Sequence, residues 1–548
     1  MKKIKKIIAL VITVIICLSL CTACGGSNTP SSSPPVTSGS NPPASPSPSQ
    51  KSDDVAGREE APIGENIRFA EKIDIVIDNM SVAVLNPFAP GGSFPAIMWS
   101  YNLMYDRLLR FAGGSEYEPS LATEWTTDDY ITFTLKLRDD IYFQNGEKFT
   151  ANDVVFTAKL SKDSAGSPSN VIWAPVKEVT AIDEYTVQFV MNNVTVNFWY
   201  NLARPEAVIC NEKAVNADSE KGPWVGTGAY CLTEFTANNY WVFERNDNYW
   251  GEPPITKTLT MRYLPEINTR AISLLNGECQ ICFKISNEDM DLFENNPDYV
   301  IFDHELNNPS PLYFNMTDPL CADYNFRMAV ISALNREEIS LAVAGNYTRP
   351  AYDDGGVWGN FQEFRNRDIP MVPEDLEAAK AYLEASPYNG EVVEIAAANA
   401  MNIKAAEIVQ QQLDQIGLKT EINIMDGTAL SAYVAWGNNK SQIVSVGMQL
   451  YLEASSFNNL VYPERAQNRS SYSNPIITDL VDRATKELDY AKREELYKEI
   501  QSILAEDPPF VNLFWILQTV VGVKGIGGFN LPADSFYDLR YIYLQLED

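Results

Sequence analysis

Histidine is almost missing from this chain: His304 is the only one in 548 residues. Any Ser–His or Cys–His nucleophile system would have to use it. It sits in Phe302-Asp303-His304-Glu305, a strand-like stretch flanked by charge, where a solvated imidazole is expected. HExxH, GxSxG and GxxxxGK[ST] are also absent, which removes the usual signatures of zinc peptidases, serine esterases and phosphate loops. Cys279-Gln280-Ile281-Cys282 has the CxxC spacing, but no second pair follows it. The usual four-ligand zinc sets are not met, so both thiols read as small buried hydrophobes in a strand. The body holds five cysteines, Cys210, Cys231, Cys279, Cys282 and Cys321, an odd number that leaves at least one thiol free within the chain. No fixed-period repeat occurs, which disfavours a solenoid or propeller. Basic residues are scarce as well: 42 Lys and Arg stand against 72 Asp and Glu, a net charge of −30. A surface that acidic repels nucleic acid and says little else about the ligand. Abundant carboxylates leave a secreted two-carboxylate glycosidase open by composition, with no positive feature to support it. The expectation is a protein that is not an enzyme and carries no cofactor or metal.

What is present begins with Lys2, Lys3, Lys5 and Lys6, then the uncharged run Ile7 to Leu20, then Cys21-Thr22-Ala23-Cys24. A positive start, a short apolar core and a small-residue site describe a secretory signal peptide over residues 1–23. The run falls short of the roughly 20 residues that span a bilayer, and no second such run follows, so the remainder is expected to be soluble. The segment resembles a bacterial lipoprotein signal, with Cys21 where Leu is usual. That resemblance implies that Cys24 is lipidated and becomes the mature N-terminus. Two or more acyl chains hold a protein stably on a membrane. Residues 24–66 are dominated by Ser, Pro, Gly, Asn and Thr and are expected to form a disordered tether. Such a tether reaches about 35 Å as a coil and about 130 Å fully extended.

About 480 residues remain, enough for two or three domains. Strand patterns run through Ile73, Ile75 and Ile77, through Ile131, Phe133, Leu135 and Leu137, and through Tyr185, Val187, Phe189 and Met191. Thr150, three residues before Asp153, reads as a helix N-cap. Helical stripes follow at Phe326-Ala329-Val330-Ala333-Leu334, at Ala405-Ile408-Val409-Leu413-Ile416 with Gly417 as a stop, and at Ile477-Leu480-Val481-Ala484-Leu488. A last stripe, Leu496-Ile500-Ile503-Leu504, ends at Pro508-Pro509, and Phe510 to Leu517 returns to strand. Mixed α/β lobes are the reading. Several aromatics fall in loop contexts, Phe88, Phe94, Trp358, Phe361 and Tyr451, and are candidates to line a cleft that stacks on a ligand.

Four blocks then resemble one family in one order. They are Glu118 to Trp125 with Phe133–Arg138, Tyr142–Gly146 and Phe149–Val154; Gly226–Tyr230 with Glu244–Gly251; Phe314-Asn315 with Phe326–Ala329 and Leu334–Glu337; and Tyr472–Pro475 with Ala505–Pro508. Together they are similar to the extracellular solute-binding proteins of family 5, the oligopeptide and dipeptide type. The resemblance implies a periplasmic-binding-protein-like α/β fold of type II, a two-lobed cleft with an extra inserted lobe. Its lobes would be 67–106 plus 204–305 plus 525–548, then 107–203 as the insertion, and 306–524 as the third. It also implies a hinged capture of solute between first and third lobes, and delivery to an ABC permease driven by ATPase subunits at the extracytoplasmic face of the cell membrane. Peptide binders of this family carry Gly-Trp and then an Asp that pairs with the peptide amine. Here Met448 stands in place of the Trp, no Asp falls in the expected position, and Glu453 is the nearest carboxylate. Two ligand chemistries stay open: an oligopeptide, with Glu453 as amine partner, or an oligosaccharide stacked on rings such as Tyr451 and Trp358.

Overall fold

The computed structural model describes residues 62, 67–77, 85–90, 95–351, 358–359, 362–448, 450–532 and 535–547. The signal segment 1–23, Cys24, all but residue 62 of the tether to residue 66, and Phe94 and Phe361 lie outside the described residues. No helix among the described residues is long and apolar enough to cross a membrane.

One mixed sheet of eleven strands runs through the body. At its centre two long strands, Tyr299–Phe314 and Phe510–Val523, pair antiparallel along their length. On one side of them the order continues through Ile281–Phe283, Lys72–Ile77, Thr258–Tyr263, Tyr240–Arg245 and Tyr230–Thr236. On the other it continues through Ile443–Ser445, Val393–Ala397 and Thr420–Ile424. The sequence pattern explains the split. Lys72–Ile77 lies between two parallel neighbours and buries Ile73, Ile75, Val76 and Ile77 together, as an interior strand covered on both faces must. The register of the long pair shifts between Glu305 and Pro309 and again between Ser310 and Pro311. Proline has no amide to give a ladder, so it sits in strands at bulges.

The described hydrophobic residues gather into cores that draw on separate stretches. One is built from residues between 73 and 105, 208 and 283, and 520 and 542. A second uses only residues from 108 to 209, around a four-stranded antiparallel sheet with Thr132–Leu137 and Thr186–Met191 inside it. Helix Ala151–Asp163 packs there, and its start carries the expected cap as a full capping box between Thr150 and Asp153. Two more cores lie within 312–514. Helix Ala400–Asp414 buries Ala405, Ile408, Val409 and Leu413, and Gly417 follows at φ +84° as its stop.

The motif blocks meet at one buried carboxylate. Asp106 stands where the chain leaves the first core for the second. It accepts hydrogen bonds from Trp250 Nε1 (2.7 Å), Tyr249 Oη (3.0 Å) and Thr227 Oγ1 (3.2 Å). Arg540 Nη1 reaches it from the C-terminal stretch at 3.4 Å, while Nη2 of the same side chain holds Asp538 at 2.5 Å. Gly226 and Gly228 are needed beside this knot for a simple reason. A Cβ on either would sit 2.1 or 2.4 Å from the carbonyl of Met104 or Leu103. Gln144 Nε2 then donates to the carbonyls of Met104, Gly228 and Tyr230, so the second core is strapped to the first through backbone.

Three expectations change. His304 is half-buried rather than solvated: its ring meets Tyr537 edge-on at 6.3 Å and its Nε2 is buried without a partner. Burial lowers its pKa, so the imidazole is neutral. Leu488 leaves the helical stripe, because the helix closes at Ala484 and Leu488 lies exposed before the next one. The strand opened by Phe510 runs on to Val523, past Leu517, because its second half pairs with both Ile281–Phe283 and the start of the other long strand. Cys279 and Cys282 are buried as small hydrophobes, Cys282 within a strand and Cys279 just before it, and burial pushes the Cys279 thiol up to about 12.

The knot at Asp106 is testable. Removing one partner of a buried pair costs about 3–5 kcal/mol. Asp538 still serves Arg540, so Asp106→Ala is expected to lower stability by about 3 kcal/mol in urea titration. A change below about 0.5 kcal/mol, the level of an ordinary surface substitution, would mean that other contacts hold the C-terminal stretch.

Candidate functional site

Three segments remote in sequence converge on one guanidinium. Helix Phe198–Ala203 ends at Arg204, whose extended backbone turns the chain back toward the first core. Its side chain forks onto Glu206, with Nη2–Oε1 at 2.6 Å and Nε–Oε2 at 3.2 Å. Both side chains are buried, 8% and 2% exposed. A buried pair survives only when its geometry is good and its remaining faces are covered. The cover over the guanidinium is the ring of Tyr451, 4.2 Å from it. The ring of Phe536 lies 6.0 Å from that of Tyr451. Arg107 is close enough to Glu206 to feel its charge. It donates to Asn102 Oδ1, and Asn102 in turn donates to the Phe536 and Tyr537 carbonyls at 3.0 and 2.8 Å. Burial, then the neighbouring Arg540 charge, lowers the Arg107 pKa to about 10, still cationic at neutral pH.

Tyr451 is placed by the bulged part of the long strand. Met448 N–H donates to Pro309 O at 3.0 Å and Leu450 N–H to Asn307 O at 3.3 Å. Asn307 Nδ2 returns bonds to the carbonyls of Leu450 and Tyr451, each at 3.3 Å. The segment that carries the ring is therefore fixed to the point where the strand changes register.

A second cluster lies next along the chain. Glu453 Oε2 accepts from Ser455 Oγ, and Ser455 Oγ accepts from Asn197 Nδ2 at 3.0 Å. Glu363 Oε2 accepts from the Ala454 N–H at 3.3 Å, and its backbone N–H donates to Leu452 O at 2.7 Å. Burial raises both carboxyls, Glu363 to about 7, with the charge of Glu453 as the next cause for Glu363.

Of the candidates named from sequence, Tyr451 lies over Arg204, and Glu453 is linked through Ser455 to Asn197 of the 107–203 stretch. Trp358, Met448 and Phe88 lie in hydrophobic cores. Trp358 is 2% exposed, tilted against Phe457 at 4.0 Å and edge-on to Tyr497, with Nε1 donating to Glu363 O. It holds up the Glu363 backbone and offers no face to a sugar in this conformation. Met448 packs in the same core, and Phe88 in the first. Glu453 is already engaged through Ser455, so its carboxylate is directed at Asn197 and not into an open cleft. Sequence reasoning missed Arg204, Glu206, Arg107, Glu363 and Phe536. Only Arg204-Pro205-Glu206 carried a signal, being an opposite-charge pair at the expected end of the insertion.

The ring contact generates a prediction. A desolvated cation–ring contact contributes about 1–2 kcal/mol. Tyr451→Ala is expected to enlarge the radius of gyration measured by X-ray scattering, whereas Tyr451→Phe keeps the ring and leaves it unchanged. Equal radii for wild type and Tyr451→Ala would mean that the ring contributes nothing to holding these segments together.

The glutathione-binding protein GsiB of Escherichia coli K12 is 26% identical over 501 residues, covering 87% of this chain and 95% of that protein. The fold is that of the ABC transporter substrate-binding protein CtaP from Listeria monocytogenes, with TM-score 0.77 at 23% identity, covering 87% of this chain and 100% of that one. It is also that of DppA from Helicobacter pylori in complex with peptide STSA, with TM-score 0.70 at 22% identity, covering 87% and 99%. The family described as bacterial extracellular solute-binding proteins, family 5 Middle, matches residues 116–468. With well over half of its length inside that match, this chain belongs to the bacterial extracellular solute-binding proteins of family 5.

Proposed function

We propose that this protein is the extracytoplasmic solute-binding component of an ABC importer, capturing oligopeptides between hinged lobes and passing them to a membrane permease. The observation that carries the reading is the convergence of Arg204, Tyr451 and Phe536 from three remote segments onto one seam. The lobes are 67–106 with 204–305 and 525–548, the insertion 107–203, and 306–524. Cores whose buried residues fall within 108–209 and within 312–514 support that division, with strand Phe510–Val523 contributing both to the two cores within 312–514 and to the first core. The two long strands are the hinge, and their bulge at Glu305–Pro311 is the bending point. The solute lies against the Arg204–Glu206 pair, under Tyr451.

Peptide is favoured over oligosaccharide for two reasons. GsiB and the Helicobacter DppA are named for, or contain, peptide ligands. Trp358, one of the two rings proposed to stack on sugar, is enclosed in a core. The role is transport and not catalysis. Cys24 carries the lipid anchor, which holds the body at the outer face of the cell membrane beside its permease.

Binding without turnover is measurable. A ligand at a hundredfold excess over its Kd stabilises by about 2.7 kcal/mol. A defined tripeptide and tetrapeptide series is expected to raise the thermal midpoint by several degrees and to be recovered intact. Cello-oligosaccharides are expected to give no shift. A shift with the sugars alone, or hydrolysis of the peptides, would overturn the reading.

A further inference from the structure

The Glu363–Glu453 cluster is used by nothing described so far, and it is built from two lobes. The third lobe supplies both carboxylates, together with Ala454, Ser455 and, from helix Tyr490–Glu506, Tyr490, Arg493 and Tyr497. The inserted lobe closes the other side. Asn197, at the start of helix Phe198–Ala203, donates to Ser455, and Tyr117 of strand Glu116–Pro119 lies near enough to both carboxylates to feel their charge. Two acids therefore share one half-buried chamber with Arg493, whose charge reaches both. Two ionised carboxylates beside that one guanidinium leave an excess negative charge partly removed from water, and a proton on one carboxyl removes it.

We propose that Glu363 and Glu453 form a proton-binding site that ties docking of the inserted lobe on the third lobe to the uptake of one proton. The site rests on the reading above only in taking the lobes to separate, and it is independent of which solute is carried. When they separate, the chamber opens to water and both acids return to the ordinary glutamate range near 4.5. The docked form holds its proton up to about pH 7. A carboxyl raised by docking favours the docked form at low pH. That advantage is complete below about 4.5, declines as pH rises between the two values, and is gone above about 7. A window of that width changes the docking equilibrium by up to about 300-fold. Asn197 has no ionisable group, and burial holds Tyr117 and Tyr490 above this window, so among these groups the acid pair is the element that titrates.

Backbone hydrogen exchange on the full chain, without added solute, tests this. After correction for the intrinsic pH dependence of exchange, protection of residues 194–200 and 453–458 is expected to fall by about tenfold or more from pH 5.5 to pH 8.5. Glu363→Gln and Glu453→Gln each mimic the protonated acid without a titrating group, and each is expected to keep its protection at pH 8.5. Thermal midpoints measured alongside identify a variant that has failed to fold, in which case the other variant decides. Unchanged protection in the wild type, or an equal fall in wild type and folded variants, would overturn the proposal. Because no solute is present, failure of the peptide assignment leaves this outcome unaffected.

Discussion

A carboxylate taken out of water must be surrounded by donors, and Asp106 is surrounded by four donors from three separate stretches of the chain. Thr227, Tyr249, Trp250 and Arg540 all point at it. Asp106 is also the residue at which the chain leaves the first core, so satisfying it fixes where the inserted stretch starts. Arg540 brings the C-terminal stretch to the same spot, and with it Phe536, which lies across from Tyr451. The seam between Tyr451 and Phe536 is thus set by a polar requirement some distance away. The blocks around Gly226 and Trp250 serve the junction at Asp106.

Two layers of interaction differ in strength and in consequence. The pairing of the long strands and the bonds at Asp106 are buried and numerous. The contacts described across the seam include one ring over one guanidinium, a second ring beside it and one amide to a serine hydroxyl. At about 1–2 kcal/mol for the first and about 1 kcal/mol for the amide, each is weaker than the buried pairs behind it.

Much of the fold was legible because it depends on local period. The alternation at Phe133 and Leu135, the stripe from Ala405 to Leu413 and the cap at Thr150 each follow from side-chain direction along one element. Leu488 misled because it continues a period beyond the helix that carries it. His304 misled because its charged neighbours Asp303 and Glu305 point elsewhere, while its own ring turns onto Tyr537. The site was less legible. Nothing local links Arg204 to Tyr451, or Glu363 to Glu453, because the fold brings each pair together from far apart in the sequence. Trp358 was misread for the opposite reason. Its surroundings in sequence look like a loop, yet in space it is walled by Phe457 and Tyr497.

The bulge between Glu305 and Pro311 has a mechanical meaning. Pro309 and Pro311 give no amide to the ladder, so the paired strands are weakest there, and Asn307, two residues before Pro309, carries the segment bearing Tyr451. The ring over Arg204 therefore sits almost on the weakest point of the pairing. A lever loaded beside its fulcrum moves little at the load and far at its ends. Bending at the bulge would turn a small displacement of the Tyr451 ring into a larger one at the outer edges of the sheet, the strands Thr420–Ile424 and Tyr230–Thr236. Because that gearing resides in main-chain pairing, the side chains at the seam are free to change while the gearing stays the same.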